Sequence, residues 1–209
     1  PGRPQLGRAL RPAGSLRPDL SLARVHPVDD ERQLAGIKSL QTANLRANLD
    51  VDEAAREGFV TAEYTLEYLR AMHDAAPSIV ATDGDAVVGY ALVADRTIAT
   101  EHPLLAGLFE ATDRNAWRGA PLSGQPYVVC GQLCVARTHR GRGLVDEMYR
   151  QFREVYAARY SHLVTDVASD NPRSLRVHRR VGFAVLATVP YDGADWHVVL
   201  WDWRVPRGA

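Results

Sequence analysis

Cysteine is almost missing from this 209-residue sequence, which has only Cys130 and Cys134. So few thiols exclude a disulfide framework as the source of stability. The two sit on one expected strand, and at about 3.3 Å per residue they are too far apart to bond each other without a bulge. They read as core thiols, with a nucleophilic cysteine as the alternative. Without histidines at a suitable spacing they make no zinc set, and no metal is expected. Net charge is missing too, because 25 basic and 25 acidic residues cancel. That balance gives no case for a nucleic-acid or acidic-membrane partner, although arginine supplies every basic residue except Lys38. No apolar run approaches the roughly 20 residues of a bilayer span, and no signal-peptide core is present. A cytoplasmic location is the default expectation. No internal repeat divides the chain.

What is there suits a soluble enzyme, one that buries roughly 70% of its unfolded surface. Residues 1–18 hold Arg3, Arg8, Arg11 and Arg17 among prolines and glycines, with no acid before Asp19. They are expected to form a disordered or extended arm, and residues 19–209 a single domain. A first strand is expected over residues 22–25. Asp30 and Gln33 then form a box-like helix start ahead of Leu34, Ile37, Leu40 and Leu45. Residues 48–60 are acidic and irregular. A second helix starts at Thr65, with Leu66, Leu69 and Met72 inward. Residues 78–82 and 86–93 flank Asp83, Gly84 and Asp85 as a hairpin. Residues 95–126 interrupt the sheet with an insert containing a helix over 104–111, and a connection of that length points to a functional or assembly role. Two last strands, 184–189 and 196–205, are joined through Tyr191, Asp192 and Asp195. His197, Val199, Trp201 and Trp203 share one face of the final strand by period two, a stripe that core packing or ligand stacking would each produce.

The most informative stretch begins at Tyr127. An apolar strand over residues 127–135 delivers the chain to Arg140, Gly141, Arg142 and Gly143, and from Leu144 an amphipathic helix follows. Leu144, Val145, Met148, Tyr149, Phe152, Val155 and Tyr156 recur at spacings of three and four, which marks the inner face. The first N–H groups of such a helix have no intrahelical acceptor. Two glycines let backbone amides approach an anion closely, and two arginines add charge beside the positive end of the helix dipole. The arrangement reads as a phosphate cradle. A plain connecting loop and an Arg-Gly patch on nucleic acid are the other readings. Downstream, a β-branched strand over 163–168 ends in turn chemistry at Ser169 and Asp170. Asn171 is a natural N-cap and Pro172 a natural first residue of a helix that carries Ser174, Leu175, Val177, His178 and Val181 toward Gly182 and Phe183.

These two segments resemble the GNAT N-acetyltransferases. Arg140 and Gly143 match the first two fixed positions of the family's R-x-x-G-x-(G/A) turn, while the third holds Val145. Asn171, Ser174, Gly182 and Phe183 match the N-x-x-(A/S)-x-x-x-Y-x-x-x-G-F segment, with His178 in the place of tyrosine. The likeness runs from about residue 78 to the C-terminus, and less distinctly from residue 22. It implies a mixed α/β (α+β) fold with a mostly antiparallel central sheet flanked by helices, in which the family's strands four and five splay to admit acyl-CoA. It further implies that Leu133, Cys134, Val135, Arg140, Gly141, Arg142, Gly143, Leu144, Val145, Asn171 and Ser174 bind the cosubstrate. The N–H of Leu133 would face the acyl oxygen, and His178 would stand where the family has its proton donor.

Acyl transfer needs an amine freed of its proton, a stabilised oxyanion and a protonated leaving thiolate. Glu101, Glu110, Asp113 and Asp166 are candidates for the base, and solvated surface acids would look the same. Glu101, Asp192 and Asp195 are candidates for attracting the amine, with turn preference an equal explanation for the last two. The expected function is acetyl-CoA-dependent transfer of an acetyl group straight to an amine of a small molecule or peptide. A longer acyl-CoA, a hydroxyl acceptor or a noncatalytic acyl-CoA-binding module are alternatives, and a homodimer is left open.

Overall fold

The computed structural model describes residues 23–50, 52, 56, 58–191 and 193–205. The arm over residues 1–18 and Asp192 lie outside the described residues. The main strands are β1 (Arg24–Pro27), β2 (Ile79–Asp83) and β3 (Ala86–Ala94), then, after a separate short pair β4 (Ala116–Trp117) and β5 (Ala120–Pro121), β6 (Tyr127–Val135), β7 (His162–Ala168), β8 (Ala184–Tyr191) and β9 (Ala194–Asp202). They form a seven-stranded sheet in the order β1-β2-β3-β6-β7-β9-β8, beside the two-stranded β4-β5 sheet. Only β6 and β7 run parallel; the other neighbours are antiparallel. This is the mixed, mostly antiparallel sheet expected.

Helices α1 (Glu31–Asn44), α2 (Leu66–Ala75) and α4 (Pro103–Asp113) cover one face, and α5 (Leu144–Tyr156) and α6 (Pro172–Val181) the other, while α3 (Arg96–Ala99) is a single turn in the insert. Each face has its own apolar core. Ile37, Leu69, Met72, Leu105 and Leu108 pack on the first; Met148, Tyr149, Phe152, Val181 and Trp201 on the second. Among the described residues, no helix is long and apolar enough to cross a membrane.

The helices start where short polar side chains can take an orphan amide. Asp30 accepts from the Arg32 amide at 2.8 Å, Thr65 from that of Tyr68 at 3.1 Å and Asn171 from that of Ser174 at 3.1 Å. Gln33 bonds back to the Asp29 amide, one residue earlier than a capping box would place it. The hairpin at Asp83 turns on Gly84, whose φ of 57° favours glycine. Several expectations shift, among them the last strand, which spans Ala194–Asp202 rather than 196–205. The first strand lies at Arg24–Pro27, because that segment is what pairs in register with β2. Val155 is 37% exposed; it falls at the edge of the apolar stripe in the last turn of α5, past which the stripe has no partner.

The feature that positions the site is a bulge in β6. Leu92 of β3 faces Gln132 and Val93 faces Cys130, leaving Gly131 as the extra residue. An inserted residue bends its strand and reverses the side-chain parity beyond it. Cys130 accordingly packs in the second core and Cys134 in the first, so the bulge places the two free thiols on opposite faces rather than together. Pairing between β6 and β7 ends at Val129 and Val164, before the bulge. The two strands then diverge.

Candidate active site

Backbone direction in β6 follows from one bond. The Ala136 amide donates to Val88 of β3 at 2.8 Å; with period two, the amides of Gln132 and Cys134 face β3, and those of Leu133 and Val135 face the gap toward β7. At the mouth of the gap the chain turns through Gly141 (φ 76°) and Gly143 (φ 80°). Gly143 is the N-cap of α5 and offers no side chain to the helix's first amides, which stay free for a ligand. Val145 packs against the second core and also lines the opening.

These parts wall a cleft of about 550 Å³ that extends from the turn, past the start of α6, to the loop before α2. A smaller pit of about 70 Å³ adjoins it and shares Phe59, Val60, Leu133, Asn171, Ser174 and His178 with it. Asp166, Trp196 and Leu104 belong to the pit alone. Burial pushes the Asp166 carboxyl up to about 7 and the Cys130 and Cys134 thiols to about 12 and about 11. Neither cysteine forms a thiolate near neutrality, which removes the chemical basis for an acyl-cysteine intermediate.

The acetyltransferase (GNAT) family profile matches residues 45–183. This chain belongs to the GNAT acetyltransferase family. It is therefore an acyltransferase of the EC 2.3.1 type. No curated protein matches the chain. Solved GNAT-like structures share its fold: an acetyltransferase of the GNAT family from Streptococcus agalactiae (15% identity, 86% of this chain and 95% of that one, TM-score 0.60). A putative acetyltransferase from Salmonella typhimurium, solved with its cofactor acetyl-CoA, has 18% identity over 90% of this chain and 96% of its own, with a TM-score of 0.55. The ribosomal-protein-S18-alanine N-acetyltransferase of Escherichia coli shows 8% identity, 90% and 97% coverage and a TM-score of 0.57.

Within the GNAT frame, Leu133, Cys134, Val135, Arg140, Gly141, Gly143, Leu144, Val145, Asn171, Ser174 and His178 all line the cleft. Arg142 is exposed and does not. Glu101 and Asp195 line neither cavity; Asp195 sits exposed in the β8–β9 hairpin, its carbonyl accepting from Ser169 at 2.9 Å.

Two side chains carry more structure than their motif positions suggest. Arg140 donates to Val135 O at 3.0 Å and to Asn44 Oδ1 at 2.7 Å, tying the end of β6 to the end of α1. His178 is buried, and its Nδ1 donates to Ser174 O at 2.8 Å. With that proton placed, Nε2 accepts from the Tyr149 hydroxyl at 2.7 Å. Burial lowers the His178 pKa to about 4, so the ring is uncharged at neutral pH. The sequence did not indicate Asn44, Phe59, Val60, Arg173 or Arg180 as cleft residues. Arg180 pairs with Asp146 of the first α5 turn at 2.6 Å, which offsets an acid that would repel an anion there. The run of arginines on α6 was the available signal for it.

Proposed function

We propose that this protein is an acetyl-CoA-dependent N-acetyltransferase that passes the acetyl group directly to an amine. The observation that carries the reading is the gap between β6 and β7, with an uncapped helix start at its mouth and the Leu133 amide facing into it. The residues fit the cosubstrate: free amides at the start of α5 suit a pyrophosphate, and a gap between diverging strands suits a slender extended chain. The acetyl-CoA held by the Salmonella typhimurium relative supports the same choice. When bound, acetyl-CoA supplies an acetyl group activated as a thioester.

The chain's own contributions follow from the geometry. Gly141 and Gly143 bring main-chain N–H groups to the phosphates, while Arg140 holds the turn against α1 and adds positive charge. The Leu133 amide stabilises negative charge on the acyl oxygen. Asn171 and Ser174 order the α6 start beside the cleft. His178, uncharged and bonded on both nitrogens, positions α6 against Tyr149 of α5 and contributes no cationic acid above neutrality.

The test is thiol release from acetyl-CoA over a broad panel of amines, beside calorimetric titration with CoA. Turnover with at least one amine is expected, and no fall in single-turnover rate above neutrality attributable to His178. Gly143→Val should weaken CoA binding by about tenfold or more, because a branched side chain at positive φ displaces the amides. Binding without turnover over the whole panel would leave only a CoA-binding module.

A further inference from the structure

Asp166 is the feature of this molecule that the cofactor cleft does not use. It stands on β7 opposite Val198, two residues from Ala168, which stands opposite Trp196. Asp166 and Trp196 are thus diagonal neighbours on one face of the sheet, and both wall the pit. Leu104 of the insert and Phe59 of the loop before α2 complete its apolar wall. Among the described residues no side chain pairs with the carboxylate, whose own backbone amide is its sole bonding partner. An acid with no side-chain partner, opening into a small cavity, is what a substrate cation or an ionisable N–H would satisfy.

Among the described residues the neighbourhood is free of competing charge. The titratable groups around Asp166 are Tyr64 ahead of α2, Cys130 on β6 and His178 on α6. The first two are pushed up by burial and the last is lowered, so all three are uncharged near neutrality. Trp196 and Val198 of β9 and Leu104 of α4 bring no charge. Burial, partly opposed by the hydrogen bond from its own backbone amide, raises the carboxyl to about 7, which suits a base working at neutral pH.

We infer that Asp166 receives the acceptor in this pit and takes its proton, and that the acceptor is a primary amine on an unbranched carbon. The inference rests on the acyl-transfer reading for its chemistry. As the amine nitrogen bonds to the acyl carbon and the carbon–sulfur bond breaks, the amine proton passes to the Asp166 carboxylate and the electron pair leaves on the thiolate. Leu133 walls both cavities, so the residue whose amide would meet the acyl oxygen also borders the pit that Asp166 lines. A pit of about 70 Å³ admits an amino group and the first carbons behind it, and its small volume favours a slender chain over a quaternary carbon or a ring.

Asp166→Asn keeps the shape and removes the base. Single-turnover acetylation of propylamine should fall by about 10²-fold or more, the rise in rate through neutral pH should disappear, and CoA affinity should stay within about twofold. The wild type should prefer propylamine to tert-butylamine by about tenfold or more. Wild-type rates with an intact acid limb in Asp166→Asn, or equal use of the two amines, overturn the inference. If the wild type binds CoA but acetylates nothing, the acyl-transfer reading fails separately. Carbon-13 NMR of the aspartate carboxyls with Asp166→Asn as the assignment control then decides. A propylamine-dependent shift in the Asp166 titration upholds the amine site, and an unchanged titration rejects it.

Discussion

Asp166 and His178 look into the same pit, and burial disfavours the charged form of each. The consequences for stability have opposite signs in pH. The folded-state pKa of Asp166 is raised to about 7 from 3.8, so the folded protein holds a proton that the unfolded chain has lost, and stability falls as pH rises between those values. His178 is lowered to about 4 from 6.5, so stability falls as pH drops through that window. Asp166→Asn should therefore match the wild type near pH 4 and exceed it near pH 8 by about 1–3 kcal/mol in urea denaturation. Equal stability at both pH values would show that the carboxylate is solvated. A residue kept at a cost to the fold is characteristic of a working site. Arg140 shows the limit of reading residues from a motif: the turn pattern located it, but its bond to Asn44 joins parts of the chain 96 positions apart and leaves no local trace.

Among the elements, the bulge at Gly131 and the glutamine beside it act together. Gln132 donates to Ala62 O at 2.7 Å and accepts from Tyr90 at 2.7 Å and from Gln41 at 3.0 Å. Gln41 in turn accepts from the Tyr64 amide at 3.0 Å. This buried network fastens the loop that carries Phe59 and Val60 to the bulged strand. Gln132→Leu strands three polar groups and should cost about 2–4 kcal/mol in denaturant unfolding. It should also raise the KM for the amine more than the Kd for CoA, since the loosened loop walls the pit. An unchanged ratio of the two would separate the network from the acceptor. Elements with local punctuation were legible: the caps at Asp30, Thr65 and Asn171, the Asp83–Gly84 turn, and the strand-turn-helix at Arg140. The turn α3, the β4–β5 pair and the bulge were not. The first two depend on bonds such as Arg96 to Asp113 at 2.8 Å and Trp117 to Asp202 at 3.1 Å, made between segments with no local signal for them. The bulge is a mismatch of register between β3 and β6, visible only when both are laid side by side.

At the scale of the molecule, the insert closes the pit with Leu104 and is anchored through Tyr68 to Ile98 O at 2.9 Å and through Trp117 to Asp202 at 3.1 Å. The long connection, whose length pointed to a functional or assembly role, thus reaches the candidate site through Leu104. Ligand linkage should act on the whole fold. CoA at about 100 times its Kd should add about 2.7 kcal/mol of stability and raise the melting temperature by several degrees, read by calorimetry. A melting temperature indifferent to saturating CoA would mean that the ligand does not prefer the folded chain.

β6 and β7 share three register pairs before they part. The sheet is consequently two rafts, one of four strands and one of three, joined along a short seam. A crack in a solid begins where the bonding across it is already broken, and this one is built in at the centre of the protein rather than at its rim. Whatever occupies the opening touches both rafts and carries load between them. Turnover, which fills and empties that opening, is also a cycle in which the molecule is alternately braced and relaxed across its middle.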